Sequence, residues 1–135
     1  MALMQWSDNL SVQIKEIDDQ HKRLIELINS LHDAMLAKQG KQGLEKILGD
    51  LAAYTVYHFQ TEEKYMQKFK YVGFYTHKKE HDAFVKKVVD FQSEYAANKL
   101  GLSIEVLNFL KDWVSHHIQK TDKQYSSFFK EHGIS

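Results

Sequence analysis

Four long stretches of apolar residues at helical spacing, uninterrupted by proline, constrain this chain most strongly. The chain has 135 residues and no proline, so no residue in it breaks a helix through a missing backbone donor. In each stretch, apolar side chains recur every three or four residues, which is the period of a helix face rather than the alternation of a strand. Short segments containing Gly40, Gly43, Gly73 and Gly101 separate the stretches.

These boundaries predict helices over about residues 19–38, 42–69, 74–98 and 103–121. A leader of about residues 1–17 precedes them, and a tail, residues 122–135, adds a short C-terminal helix. Asp18 or Asp19 is the expected N-cap of the first helix and Ser103 that of the fourth. Four such helices with short loops predict one all-α domain over residues 1–135, an antiparallel up-down-up-down four-helix bundle.

Composition excludes several classes of function. Eighteen basic residues balance eighteen acidic ones, which gives no electrostatic reason to expect a nucleic-acid partner. The absence of cysteine excludes disulfides, zinc–cysteine sites and a thiol nucleophile. Because we find neither a signal peptide nor an apolar run of about 20 residues, we expect a cytoplasmic protein without membrane insertion.

Ionisable side chains interrupt the apolar stripes. A lone histidine on such a stripe is usually a hydrogen-bonded core residue, but burying an unpaired ionisable group costs several kcal/mol. Counted from the loop centres near residues 41, 71 and 100, these side chains lie within about a turn of one level in the bundle. They are His21, His58, Glu62, His77, His81 and His117. Independent core residues have no reason to share a level, so this arrangement predicts a metal site.

Asp122 follows His117 by five residues, a spacing that a regular helix places about 140° apart. Both side chains face the core only if the helix is locally widened, as in a π-turn, or ends there; we predict such a distortion. The alternative is that Asp122 caps the tail helix. With Asp122 the candidates number seven, too many for one zinc ion and suited to two metal ions bridged by carboxylates. Histidine and carboxylate ligands without thiolate fit iron, manganese or zinc.

Four segments, DDQHKRL, HFQTEEKYM, HKKEHDAF and WVSHHIQKTD, resemble the metal-binding segments of the hemerythrins, and the likeness spans residues 6–129. The resemblance implies a bacterial hemerythrin, a non-enzymatic protein that binds dioxygen reversibly for carriage, storage or delivery. Its cofactor would be two iron ions with a bridging oxo or hydroxo group. By the same resemblance, His77, His81 and His117 hold one iron, His21 and His58 the other, and Glu62 and Asp122 bridge both.

Apolar residues within a turn of these ligands predict a dry dioxygen pocket, although such residues would also fill any bundle core. The proposed wall consists of Leu24, Phe59, Trp113, Val114 and Ile118. Other functions stay open: a di-iron redox enzyme, which would need a further acid–base group, or an oxygen sensor that acts through a separate partner. The sequence does not identify a protein that receives the oxygen.

Overall fold

The computed structural model describes residues 4–37, 41–97 and 104–133. A 3-10 turn at Asp8–Leu10 precedes three long helices, α1 (Lys15–Leu36), α2 (Lys41–Lys68) and α3 (Phe74–Ala96). The next helix, α4 (Ile104–His116), continues without a break into a π-helix, His117–Asp122, and then into α5, Lys123–Glu131. These ranges contain no strand. The predicted all-α four-helix bundle is therefore confirmed.

The first helix begins earlier than predicted, at Lys15, and neither expected aspartate caps it. Its N-cap is Ile14, whose side chain makes no capping hydrogen bond. The Asp18 carboxylate instead accepts hydrogen bonds from Ser11 Oγ at 2.5 Å and from the Val12 amide at 2.8 Å. Asp18 thus fastens the preceding turn of the leader to α1. The predicted helix ends at Lys38 and Asn98 and the predicted cap at Ser103 lie outside the described residues.

Two apolar cores hold the bundle together. The larger one is formed by the inward stripes of α1, α2, α3 and α4, with Met4 and Leu10 of the leader packed against them. The smaller one joins the leader and the start of α1 to α2 and α5, and it consists of Val12, Ile14, Ile17, Met66, Tyr125 and Phe129. The leader therefore runs along α1, where the Met4 amide donates a hydrogen bond to Asn29 Oδ1 at 2.8 Å. Within the described helices, no segment is long and apolar enough to cross a bilayer.

Candidate metal centre

The structure brings all seven predicted ligands together in the bundle interior. Each is at most 2% exposed, and their ligand atoms form two overlapping groups in which all atoms lie within 4.8 Å of one another. One group contains Glu62, His77, His81, His117 and Asp122; the other contains His21, His58, Glu62 and Asp122. Both groups share Glu62 and Asp122, so the arrangement is a pair of adjoining metal-sized sites.

The ligands of the fourth helical segment, His117 and Asp122, depend on the π-helix for their orientation. A π-helix over His117–Asp122 confirms the distortion predicted from the five-residue spacing. Its wider turn lets the His117 and Asp122 side chains point into the same interior, with 2.9 Å between His117 Nε2 and Asp122 Oδ1. Asp122 also precedes α5, but its side chain makes no capping hydrogen bond. Asp122 therefore occupies the N-cap position of α5, as the alternative expected, but its side chain does not cap that helix.

Imidazole nitrogens face one another across the centre. His117 Nε2 lies 3.0 Å from His81 Nε2 and 3.1 Å from His77 Nε2. Asp122 extends one carboxylate oxygen to within 2.9 Å of His77 Nε2 and the other to within 3.0 Å of His21 Nε2. The Nε2 atoms of His77, His81 and His117 face one another, and their few hydrogen atoms cannot give every one of these nitrogens a hydrogen bond. The geometry therefore suits a cation between the nitrogens better than it suits hydrogen bonding.

Several of these buried atoms make no hydrogen bond of acceptable geometry to the described residues, although most of them lie within 3.1 Å of an atom of another ligand. They are both ring nitrogens of His21, Oε1 of Glu62 and both carboxylate oxygens of Asp122. Leaving such atoms unsatisfied in a protein interior costs about 1–3 kcal/mol each and more for charged groups. Cation binding would satisfy the inward-facing atoms together, so the donor set fits a metal centre.

Electrostatics favour the ionised carboxylates that metal binding requires. Burial and the nearby Asp122 oppose ionisation of Glu62, but the imidazoles of His58 and His81 outweigh them and lower the pKa of Glu62. Burial likewise opposes ionisation of Asp122, whose pKa is nevertheless lowered, chiefly by His117. Both carboxylates are thus held in their anionic form.

Polar residues beside the ligands orient the rings, and the sequence analysis missed them. The outward Nδ1 atoms of three ligands face Gln20, Glu63 and Glu80. Each of these residues directly precedes or follows a candidate ligand, as Gln20 precedes His21. A signal was available in principle, because metal-bound histidines usually donate their second ring N–H to a carboxylate or carbonyl oxygen.

Tyr125 is a further residue that the sequence analysis left in the tail without a role. It is completely buried, and its hydroxyl donates a hydrogen bond to Glu62 Oε2. Its ring stacks on His77 with a centroid separation of 5.4 Å. Burial, with the nearby Asp122 and Glu62, raises the pKa of Tyr125, so the phenol remains a donor. An additional ionisable group therefore does lie at the centre.

A narrow cavity of about 10 Å³ adjoins the donor group that contains His21 and His58. All five residues proposed for the pocket wall line it, together with His21, His58 and His117. Three further lining residues were not predicted: Leu51, Thr55 and Phe84. Space of this size admits about one water-sized molecule, and the walls between the imidazoles are almost entirely apolar.

Comparison with known proteins gives consistent matches over nearly the whole chain. The family model of the hemerythrin HHE cation binding domain matches residues 12–128. Bacteriohemerythrin of Methylococcus capsulatus is 37% identical over 126 residues, which cover 93% of this chain and 95% of that protein. Bacteriohemerythrin of Stenotrophomonas maltophilia is 33% identical over 132 residues, covering 98% and 85%. A solved wild-type hemerythrin superposes with a TM-score of 0.89 at 36% identity, covering 93% of this chain and 97% of that one.

Proposed function

The chain belongs to the hemerythrin family, and from that premise we propose that it binds dioxygen reversibly at a non-haem di-iron centre, for carriage, storage or delivery. One observation carries the proposal: two adjoining donor groups that share Glu62 and Asp122 open on the same small apolar cavity. The shared carboxylates account for two ions held close together, and the cavity accounts for a small uncharged ligand.

The two donor groups support an assignment of the ligands to the two ions. His77, His81 and His117 would hold one iron, and His21 and His58 the other. Glu62 and Asp122 would bridge the pair, together with an oxo or hydroxo group. When bound, the iron pair supplies the electrons that reversible dioxygen binding requires. The half with two imidazoles has one protein ligand fewer, and His21 and His58 both line the cavity.

The protein's part in this chemistry is to hold the rings and exclude water. Phe59 stacks on His81 with centroids 3.8 Å apart and rings only 3° from parallel. Trp113 stacks on His117 with centroids 4.4 Å apart. Both aromatic rings also line the cavity, so the same side chains that fix the imidazoles form its walls. A dry site disfavours the proton and water access that would release reduced oxygen species.

We assign the protein a non-enzymatic role. The names of its relatives point to oxygen binding rather than catalysis. Tyr125 supplies an ionisable group that an enzyme could use, but it packs against the smaller core and is not among the residues that line the cavity. A ligand in the cavity would therefore meet the imidazoles of the metal ligands, the Thr55 hydroxyl and apolar side chains rather than the Tyr125 phenol.

The test is visible absorption of the reduced, iron-loaded protein through repeated cycles of oxygen and argon. A charge-transfer band that appears under oxygen and disappears under argon is expected, cycle after cycle. His117→Ala should abolish the band, whereas His116→Ala, at an exposed neighbouring position, should retain it. Irreversible oxidation in the first cycle would refute reversible binding and favour a redox enzyme or a sensor.

A further inference from the structure

The imidazoles of the two halves differ in what their outward nitrogens contact. In the three-histidine half, His81 Nδ1 lies 2.8 Å from Glu63 Oε2, and His117 Nδ1 lies 3.3 Å from Glu80 Oε1. The Glu63 side chain is only 17% exposed, whereas that of Glu80 is 37% exposed. Two of the three rings on this side are therefore backed by carboxylates, and the better shielded contact is also the shorter one.

The two-histidine half has no such carboxylate among the described residues. His58 Nδ1 contacts the amide oxygen of Gln20 at 2.7 Å. The amide orientation is fixed by Thr61, whose hydroxyl donates to the Tyr57 carbonyl and accepts from Gln20 Nε2 at 3.4 Å. His21 Nδ1 is buried without a hydrogen-bond partner among the described residues. The His58 ring is therefore backed by a neutral amide, and Nδ1 of the His21 ring has no hydrogen-bonding group behind it among the described residues.

This difference has a direct effect on metal affinity. A carboxylate that accepts the outer N–H makes the imidazole a more basic ligand and fixes its orientation, and loss of such a partner typically costs about 10–100-fold in affinity. A neutral amide fixes the orientation but adds less basicity, because it carries no net charge. The three-histidine half also offers one more imidazole, so both contributions favour the same side.

We propose that the two halves bind metal in a fixed order: the His77, His81 and His117 half loads first and more tightly, and the His21 and His58 half loads second and releases first. Glu63 and Glu80 are positioning residues that set this order, with Glu63 the more important of the two. Gln20 keeps the second half weaker. This proposal rests on the proposed di-metal centre. It adds that the half with three histidines holds metal more tightly than the half with two.

The experiment is a titration of the metal-free, full-length chain with cobalt(II), followed by visible d–d absorption and by calorimetry. Two binding steps separated by at least about tenfold in affinity are expected. Glu63→Gln should weaken the first step by about tenfold or more and leave the second nearly unchanged, and Glu80→Gln should have a smaller effect in the same direction. Gln20→Glu should strengthen the second step and narrow the gap.

The matched control is Glu26→Gln on α1, where an exposed carboxylate pairs only with Arg23 among the contacts described. It should change neither step. Far-UV circular dichroism checks that each variant is folded, and the Gln20→Glu variant tests the order by gain rather than by loss. Two equal steps, or a Glu63→Gln variant that weakens both steps alike, would overturn the loading order alone. Absence of any cobalt binding by the wild type would overturn the proposed function with it.

Discussion

Replacing Tyr125 with phenylalanine tests whether the phenol stabilises the metal-free centre. The change removes one hydroxyl and keeps the ring that stacks on His77 and, with centroids 4.6 Å apart, on Phe129. Both Tyr125 and its acceptor Glu62 are completely buried, so water cannot replace the lost donor. A hydrogen bond to a charged group contributes about 1.5–3 kcal/mol to stability. Because both partners are buried, we expect the loss of free energy of unfolding to lie in that range.

Thermal unfolding of the metal-free protein at pH 7, followed by circular dichroism, measures this loss. A chain of this length loses roughly 3–5 °C in Tm for each kcal/mol, so Tyr125→Phe should lower Tm by roughly 5–15 °C. The measurement needs a chelator, because residual metal would bind the native state and raise Tm by mass action.

Tyr65→Phe is the matched control. The Tyr65 hydroxyl also donates to a carboxylate, that of Glu16, at 3.2 and 3.3 Å, but this pair is exposed. Its loss should cost less than about 1 kcal/mol, since water can satisfy the freed oxygen atoms. A decrease in Tm for Tyr125→Phe no larger than that for Tyr65→Phe would refute the reasoning.

Three further predictions concern pH, backbone strain and the cavity. Burial opposes protonation of His81, but the carboxylates of Glu62 and Glu63 outweigh burial and raise the pKa of His81 from 6.5 to about 9, while the pKa of Glu62 is lowered. The stability of the metal-free protein, measured as a urea midpoint, should therefore fall as pH rises from 6.5 to 9 and again as pH drops below about 4.5. Lys70 has a positive φ of 56° at the end of α2, so Lys70→Gly should raise the free energy of unfolding by about 0.5–1 kcal/mol, and an unchanged urea midpoint would contradict this. Val114→Leu should narrow the cavity and slow autoxidation of the oxygenated protein; an equal or faster rate, followed at the charge-transfer band, would count against the cavity's role.

The position of the ligands was predictable because helix geometry ties sequence distance to height in the bundle. Counting residues from the loops put side chains of four helical segments at one level, and the structure brings those side chains together. The π-helix was predictable for the same reason, since the separation of His117 and Asp122 does not fit a regular helix. Periodicity therefore carried most of the information about the centre.

Periodicity could not predict which residues surround the ligands. Glu63 and Glu80 each adjoin a ligand on the polar side of a helix, where glutamate is ordinary, and only the tertiary arrangement aims them at imidazole nitrogens. Tyr125 lay in a segment treated as a tail, although its buried position follows from the helix that continues from α4 through the π-helix into α5. The N-cap at Asp18 was wrong because a leader turn competes for the same carboxylate.

The π-helix makes the site sensitive to the number of residues rather than to their identity. The π-helix holds one residue more than a regular helix needs to bring His117 and Asp122 to the same side. Removing exposed Gln119 or Lys120 would set the two ligands four residues apart, a spacing that a regular helix places on one face. Asp122, Tyr125 and Phe129 would then keep their orientation, whereas one inserted residue would rotate all three by about 100°. A scan should therefore find that this segment tolerates a single deletion at either position but not a single insertion, with substitutions at both positions silent.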